Sequence, residues 1–180
     1  MIKKILLNNS ELKFTEKDLP ILIHGEPGTG SSLFTVSLVS QFYNQGSKIL
    51  FLSGYQAATD EFKSQVGDID PDKVEIVQRG REEDFLKVVS SLKDLDERVI
   101  LIKNVELLSS NAFQAIKDKQ KFIISGDIKK CSFKDELINF PFKTTILFSQ
   151  LENKTLPSLQ KYEGYMRGEN AGIVKVEVRA

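Results

Sequence analysis

The segment Gly25-Glu26-Pro27-Gly28-Thr29-Gly30-Ser31-Ser32 places two glycines five positions apart, with a hydroxyl residue just beyond. That spacing follows the pattern G-x-x-x-x-G-K-[ST]. In such a loop backbone N–H groups surround a phosphate, a lysine reaches its outer charges, and the Ser/Thr hydroxyl ligates magnesium. Gly25 and Gly30 take the glycine positions, Pro27-Gly28 sets the turn, and Ser32 fills the hydroxyl position of a possible magnesium ligand. Ser31 stands where the lysine belongs. The backbone features survive, so an anion site is one reading and a tight strand-to-helix turn is the other. In phosphoryl transfer the lysine neutralises developing charge. Losing one such group typically costs on the order of 3 kcal/mol at the transition state.

Few other residues offer chemistry. His24, immediately before the loop, is the sole histidine and has no serine–aspartate set around it, so a packed strand residue is expected. One histidine and one cysteine, Cys131, do not make a zinc site of the usual kind. Cys131 cannot form an internal bridge, so a reducing, cytoplasmic setting is expected. Lys plus Arg and Asp plus Glu both number 25, which leaves no global field directed at nucleic acid or an anionic membrane. No apolar run reaches the roughly 20 residues that span a bilayer, and "MIKKILLNNSELKF" reads as a first strand or hairpin.

The elements that position the loop alternate along the chain. "ILIHG" (21–25) reads as a buried strand, 31–44 as a helix apolar nearly all round, and Gly46 as its stop. "KILFLS" (48–53) is a strand, 58–66 a short helix, and "KVEIVQ" (73–78) a weaker strand. An amphipathic helix over 81–94 leads to the apolar strand "RVILIKN" (98–104). A helix near 105–118, "KFIISGD" (121–127), a short helix near 134–139 and "KTTILFSQ" (143–150) follow. Continuous apolar strands separated by helices predict an α/β fold, a mainly parallel sheet with helices on both faces. Glu106 and Asp127 fall near strand carboxyl ends, where open α/β sheets place ligands. A polar stretch from 151 precedes "IVKVEV" (173–178), which alternates like an edge strand. Length and pattern predict one domain over 1–180, with an N-terminal strand or hairpin over 1–19 and a polar loop plus edge strand over 151–180.

From about residue 15 to 180 the chain resembles the RecA/KaiC-like branch of P-loop ATPases. "ILIHGEPGTGSSLFTVSLVSQFYNQGSKILFLS" is similar to that family's strand, Walker A loop, helix and second strand, and "RVILIKNVELL" to its Walker B strand. "KFIISGD", "KTTILFSQ" and "GIVKVEVRA" resemble the later strands and closing hairpin. "VILIKNVELLSSNAFQAIKDKQKFIISGD" also resembles AAA+ initiators of the DnaA type, though the terminal β segment suits the RecA/KaiC order. The resemblance implies ATP or another nucleotide or phosphate as ligand. It implies adjacent loop and Walker B strands, and a partner with a RecA-like fold or a second copy.

The resemblance also marks departures. Ser31 replaces the Walker lysine, Lys103 stands at the magnesium-associated aspartate, and Tyr55 and Gln56 stand where the family activates water. Hydrolysis by the usual route is not expected, which suggests a pseudo-ATPase in an assembly or regulatory role. A weak ATPase and an accessory protein of DNA recombination or repair are the alternatives. The expected binding residues are Gly25, Glu26, Pro27, Gly28, Thr29, Gly30, Ser31, Ser32 and Lys103, with Asp127 and Gln150 as possible sensors. The Lys103 stem is long enough to carry its ammonium to the loop; pairing with Glu26 or another carboxylate, or extension into solvent, are the other options. Lys154, Lys161, Tyr162, Tyr165 and Arg167 give the polar stretch a composition compatible with single-stranded nucleic acid, while Glu152, Glu163 and Glu169 suit a solvated loop or protein contact.

Overall fold

Strands that are apolar on both faces must be covered on both, and the chain meets this with one ten-stranded sheet between two helical layers. The computed structural model describes residues 2–53, 56–77, 82–152 and 154–179. In chain order the elements are β1 (Ile2–Leu7), β2 (Ser10–Glu11), β3 (Ile21–His24), α1 (Ser31–Asn44), β4 (Lys48–Ser53), α2 (Gln56–Val66), β5 (Val74–Val77) and α3 (Glu82–Ser91). Then come β6 (Arg98–Lys103), α4 (Ser110–Ile116), β7 (Phe122–Gly126), α5 (Lys134–Asn139), β8 (Thr144–Leu147), β9 (Glu163–Arg167) and β10 (Gly172–Arg179).

The sheet order is β2-β1-β10-β9-β8-β3-β7-β6-β4-β5. From β8 to β5 every pairing is parallel; from β2 to β8 every pairing is antiparallel. Side chains alternate along each strand and sort the core into two clusters. Ile21, Ile23, Ile49, Phe51, Val99, Leu101 and Ile123 face α1 and α2. Leu22, Leu50, Leu52, Ile100, Ile102, Phe122 and Ile124 face α3, α4 and α5.

Local chemistry sets the boundaries. Asn8 and Asn9 take positive φ (48° and 70°), as the tight turn between β1 and β2 requires. α1 buries eight residues, Phe34–Ser40 and Phe42. Phe34 fixes its first turn against Phe14 and Phe148, at ring separations of 6.1 and 5.3 Å. The helix ends at Gly46 (φ 93°): the N–H of Gly46 donates to Tyr43 O and that of Ser47 to Phe42 O, the paired bonds of a Schellman stop.

The structure corrects four sequence-based expectations. β3 and β6 are not adjacent, because β7 lies between them and pairs with both. β10 is not an edge strand, because β1 and β9 flank it. The helix expected over 105–118 is split into a 3₁₀ turn, Val105–Leu107, and α4. Asn104 enters the turn with φ 63°, and Ser109 then caps α4 by accepting from the N–H of Asn111. Lastly, the polar stretch after 150 is not one long loop, since Glu163–Arg167 pairs as β9.

Candidate functional site

The loop leaves β3 at the carboxyl edge of the parallel strands and ends on the first turn of α1. Pro27 and Gly28 (φ 83°) form the middle of a turn closed by the N–H of Thr29 on Glu26 O, 3.3 Å. Gly30 (φ 90°) takes the left-handed conformation that turns the chain into the helix. Thr29 Oγ1 donates to Glu26 O at 2.7 Å and tightens the same turn. The N–H of Gly25 donates to Gly126 O at 3.2 Å, and that of Glu26 to Ser149 Oγ at 3.0 Å. Among the described residues, the N–H groups of Gly28, Gly30, Ser31 and Ser32 have no acceptor. They are donors of the kind that hold an anion at a helix N-terminus.

Ser31 cannot extend a charge from this loop. Its hydroxyl folds back over the loop's first residue: a Cβ on Gly25 would lie 2.3 Å from Ser31 Oγ. Thr29 Oγ1 is 3.5 Å from the same oxygen.

A buried cation, Lys103, stands on the sheet and lines the same cleft as the loop. Ile23, Ser125, Lys103 and Ser53 are successive register partners across β3, β7, β6 and β4. Period-two alternation puts this row on the face covered by α1. Ser125 Oγ is hydrogen-bonded to Thr35 Oγ1 on α1 at 2.7 Å, which fixes the helix start against β7. Lys103 sits one strand over, only 3% exposed, and its ammonium makes a long 3.4 Å bond to Asn104 Oδ1. It pairs with no carboxylate among the described residues. Lys129 holds Glu26 at 3.4 Å, so neither the Glu26 pairing nor the extension into solvent expected for Lys103 is realised. Burial pushes the Lys103 ammonium down to about 8, an effect the Glu106 charge partly opposes.

Two carboxylates complete the floor. Asp127 is 4% exposed, and its Oδ1 is buried without a hydrogen-bond partner; Oδ2 lies 3.9 Å from the exposed Lys130 ammonium. Glu106 accepts from the N–H of Asp127 at 3.1 Å. His24 is structural: its Nδ1 accepts from the N–H of Ile128 at 3.0 Å, which puts the proton on Nε2, 3.3 Å from Ser149 Oγ. Burial holds this imidazole below its usual pKa, with Asp127 opposing, so it remains neutral.

The loop, Lys103, Ser125, Glu106 and Asp127 surround one cleft of about 620 Å³, lined also by Ala57, Ala58 and Glu61 of α2 and by Tyr162. Of the residues that the sequence singles out, the cleft gathers Gly25, Glu26, Pro27, Gly28, Gly30, Ser31, Ser32, Lys103, Glu106 and Asp127. Thr29 braces the turn, while Gln150 points elsewhere, donating to the carbonyls of Glu152 and Lys154. Tyr55 lies outside the described residues, as does the side chain of Gln56. Of the basic and aromatic set in the polar stretch, Tyr162 packs against Gly30, Lys161 lies 5.0 Å over the Tyr162 ring, and Arg167 donates to Thr155 O at 2.7 Å. Sequence reasoning missed Ser149 and Ser125. Each is one of many serines, and only strand pairing brings them to the loop.

A magnesium site of the usual kind does not fit these residues. The buried Lys103 ammonium lines the cleft, and a divalent ion does not share one coordination site with a second cation. Among the described residues no three of His, Cys, Asp and Glu are grouped to bind a metal.

The parallel sheet order, the glycine loop at a strand end and the helix that follows define a P-loop NTPase fold of the RecA-like kind. Solved structures agree. The chain superposes on ATPases 2 and 3 of Thermomonospora curvata EccC, solved in complex with a signal sequence peptide, with a TM-score of 0.62 and 12% identity over 99% of its length. The cytoplasmic domain of the same type VII secretion ATPase gives 0.65 and 11% over 99%. The chain spans 40% and 26% of those two EccC chains. It also resembles the flagellar accessory protein FlaH of Methanocaldococcus jannaschii, with a TM-score of 0.51 and 17% identity, over 88% of this chain and 89% of that one. No family model and no curated protein matches the sequence.

Proposed function

We propose that this chain is a RecA-like pseudo-ATPase: it binds a nucleotide or phosphate at the Gly25–Ser32 loop, does not turn it over, and serves as an assembly or regulatory subunit. One observation carries the reading. The loop keeps its free amides, yet Ser31 folds back on Gly25 where a lysine would extend. The binding half of the motif is retained and the catalytic half is replaced. An ATPase needs charge on the transferred phosphoryl group, an oriented metal and an activated water. Ser31 fails the first and Lys103 opposes the second.

The partner in this reading is another RecA-like domain or a second copy. The likeness to FlaH, an accessory protein by its name, and to domains within the larger EccC chain supports a subunit role. Purified protein tests the catalytic half. At saturating ATP and magnesium, phosphate release should stay at background, and turnover approaching about 1 per second, the low end of ordinary enzymes, would overturn the reading. A weak ATPase is the second reading, favoured by Glu106 and Asp127 at the cleft floor. Glu106→Gln should abolish any residual turnover if it holds.

A further inference from the structure

Lys103 is costly to keep. A buried ammonium is tolerated when paired and fully hydrogen-bonded, and it has three N–H donors to satisfy. Here the described residues supply one hydrogen-bond acceptor, Asn104 Oδ1 at 3.4 Å, and no carboxylate within ion-pair distance, so that only the more distant Glu106 charge favours the ammonium. The carboxylates that face the cleft are Glu26, Glu61, Glu106 and Asp127. Glu26 is held by Lys129 and Glu61 by Lys3, and Glu106 accepts from the backbone of Asp127. Asp127 Oδ1 is buried with no hydrogen-bond partner among the described residues. The cleft thus presents an ammonium short of acceptors, an oxygen short of a donor, and four N–H groups in the loop and the first turn of a 14-residue helix.

We infer that the cleft binds the phosphoryl group of a nucleotide, or of inorganic phosphate, without a metal ion and with Lys103 as its fixed counter-charge. This rests on the reading of the loop as a phosphate site and adds what replaces magnesium there. The row Ile23–Ser125–Lys103 puts the lysine two strands from β3 on the α1 face, so its ammonium approaches the cleft from the floor while the loop amides close it from the side. Phosphoryl oxygens satisfy both. A hydroxyl of the same ligand, on phosphate or sugar, supplies the donor that Asp127 Oδ1 lacks. Lys103 excludes the divalent ion by occupying its electrostatic niche.

The test is a fluorescence titration of the full chain with an N-methylanthraniloyl derivative of ADP. It is run in excess EDTA and in excess magnesium, on the unaltered protein and on Lys103→Met and Lys103→Arg. The expected result is equal affinity with and without magnesium, a roughly tenfold to hundredfold loss in Lys103→Met, and partial recovery in Lys103→Arg. Lys103→Met keeps the stem and removes a buried charge, so thermal unfolding of both variants verifies the fold. Competition identifies the source. Displacement by inorganic phosphate at concentrations comparable to ADP assigns the site to free phosphate; displacement by nucleotides alone assigns it to a nucleotide. Strict magnesium dependence, or an unchanged affinity in Lys103→Met, overturns the proposal while leaving a phosphate site in place. Absence of binding by both labelled ADP and radiolabelled phosphate in the unaltered protein overturns the proposal together with the phosphate-site reading beneath it.

Discussion

At the scale of the residue, Lys103 should act on stability and on the proposed anion affinity with opposite signs. Its pKa falls from 10.5 to about 8 on folding, chiefly through burial. Between these values the unfolded chain binds more protons than the folded one, so stability rises with pH through that window. Below about 8 both states carry the charge and the folded state bears the full desolvation cost, up to about 3 kcal/mol. Lys103→Met should therefore stabilise the protein by about 1–3 kcal/mol near neutral pH, with the gain vanishing toward pH ~10.5, as read by urea unfolding at several pH values. A variant less stable than the parent near neutrality would make Lys103 a packing residue. Anion affinity should follow the same group in reverse, flat below about pH 8 and falling above it as the ammonium deprotonates.

The loop and Lys103 were legible in the sequence as residues that line the cleft, but Ser125 and the contacts among them were not. The spacing from Gly25 to Ser32 exposes the loop, and Ser31 at the lysine position of the pattern, to anyone counting positions. That Lys103 shares a row with Ser125, and that Asp127 Oδ1 is left without a donor, depends on which strands lie side by side.

At the scale of the element, the junction between loop and helix is held by Gly30 and Tyr162. Gly30 has φ 90°, and a Cβ there would stand 2.4 Å from Tyr162 Cδ1 and 3.0 Å from its Cα. Gly30→Ala should cost about 2–3 kcal/mol, combining the left-handed penalty of about 1–2 kcal/mol with displacement of the tyrosine. Adding Tyr162→Ala should return the steric share and leave the backbone share, a non-additivity that thermal unfolding of both single variants and the double variant would expose. At the opposite end of the strands, Arg98 fastens the starts of β4, β5 and β6. It donates to Ile49 O at 2.9 Å, Lys73 O at 3.3 Å and Asp94 Oδ1 at 2.9 Å, and together with Lys48 it holds the Asp94 carboxyl down to about 2. Arg98→Met should lower stability by about 2–3 kcal/mol without altering ligand affinity measured below the unfolding range, because Arg98 begins the strand that Lys103 ends.

Element boundaries were well announced where the signal is local. The reading of α1, β4 and α5 agrees with the structure at Ser31–Asn44, Lys48–Ser53 and Lys134–Asn139, because a stop glycine and short apolar runs lie within or beside the segments themselves. The break before α4 was missed. It depends on a left-handed Asn104 and on the Glu82 carboxylate of α3, which accepts from Ser109 Oγ at 2.7 Å and from the N–H of Ala112 at 3.1 Å.

At the scale of the whole molecule, fold class was legible and strand order was not. Continuous apolar strands alternating with helices suffice to predict a parallel sheet covered on both faces. Pairing partners are long-range, and β7 enters between β3 and β6 with nothing in either flanking segment to announce it. The insertion bears on the site directly, since it places Ser125, Gly126 and Asp127 between the loop and Lys103. The antiparallel strands β9 and β10 then extend the sheet past β8 to the N-terminal hairpin, so the two ends of the chain meet through β1 and β10. The central claim, a site that binds without turnover, belongs to this scale because it needs the loop, the sheet and the helix start together. Equilibrium dialysis of the purified chain against labelled ATP and magnesium, followed by chromatography of the label on the protein side, tests it most directly. The account predicts an excess of label that is still ATP after prolonged incubation. Label converted to ADP, or no excess at all, would contradict it.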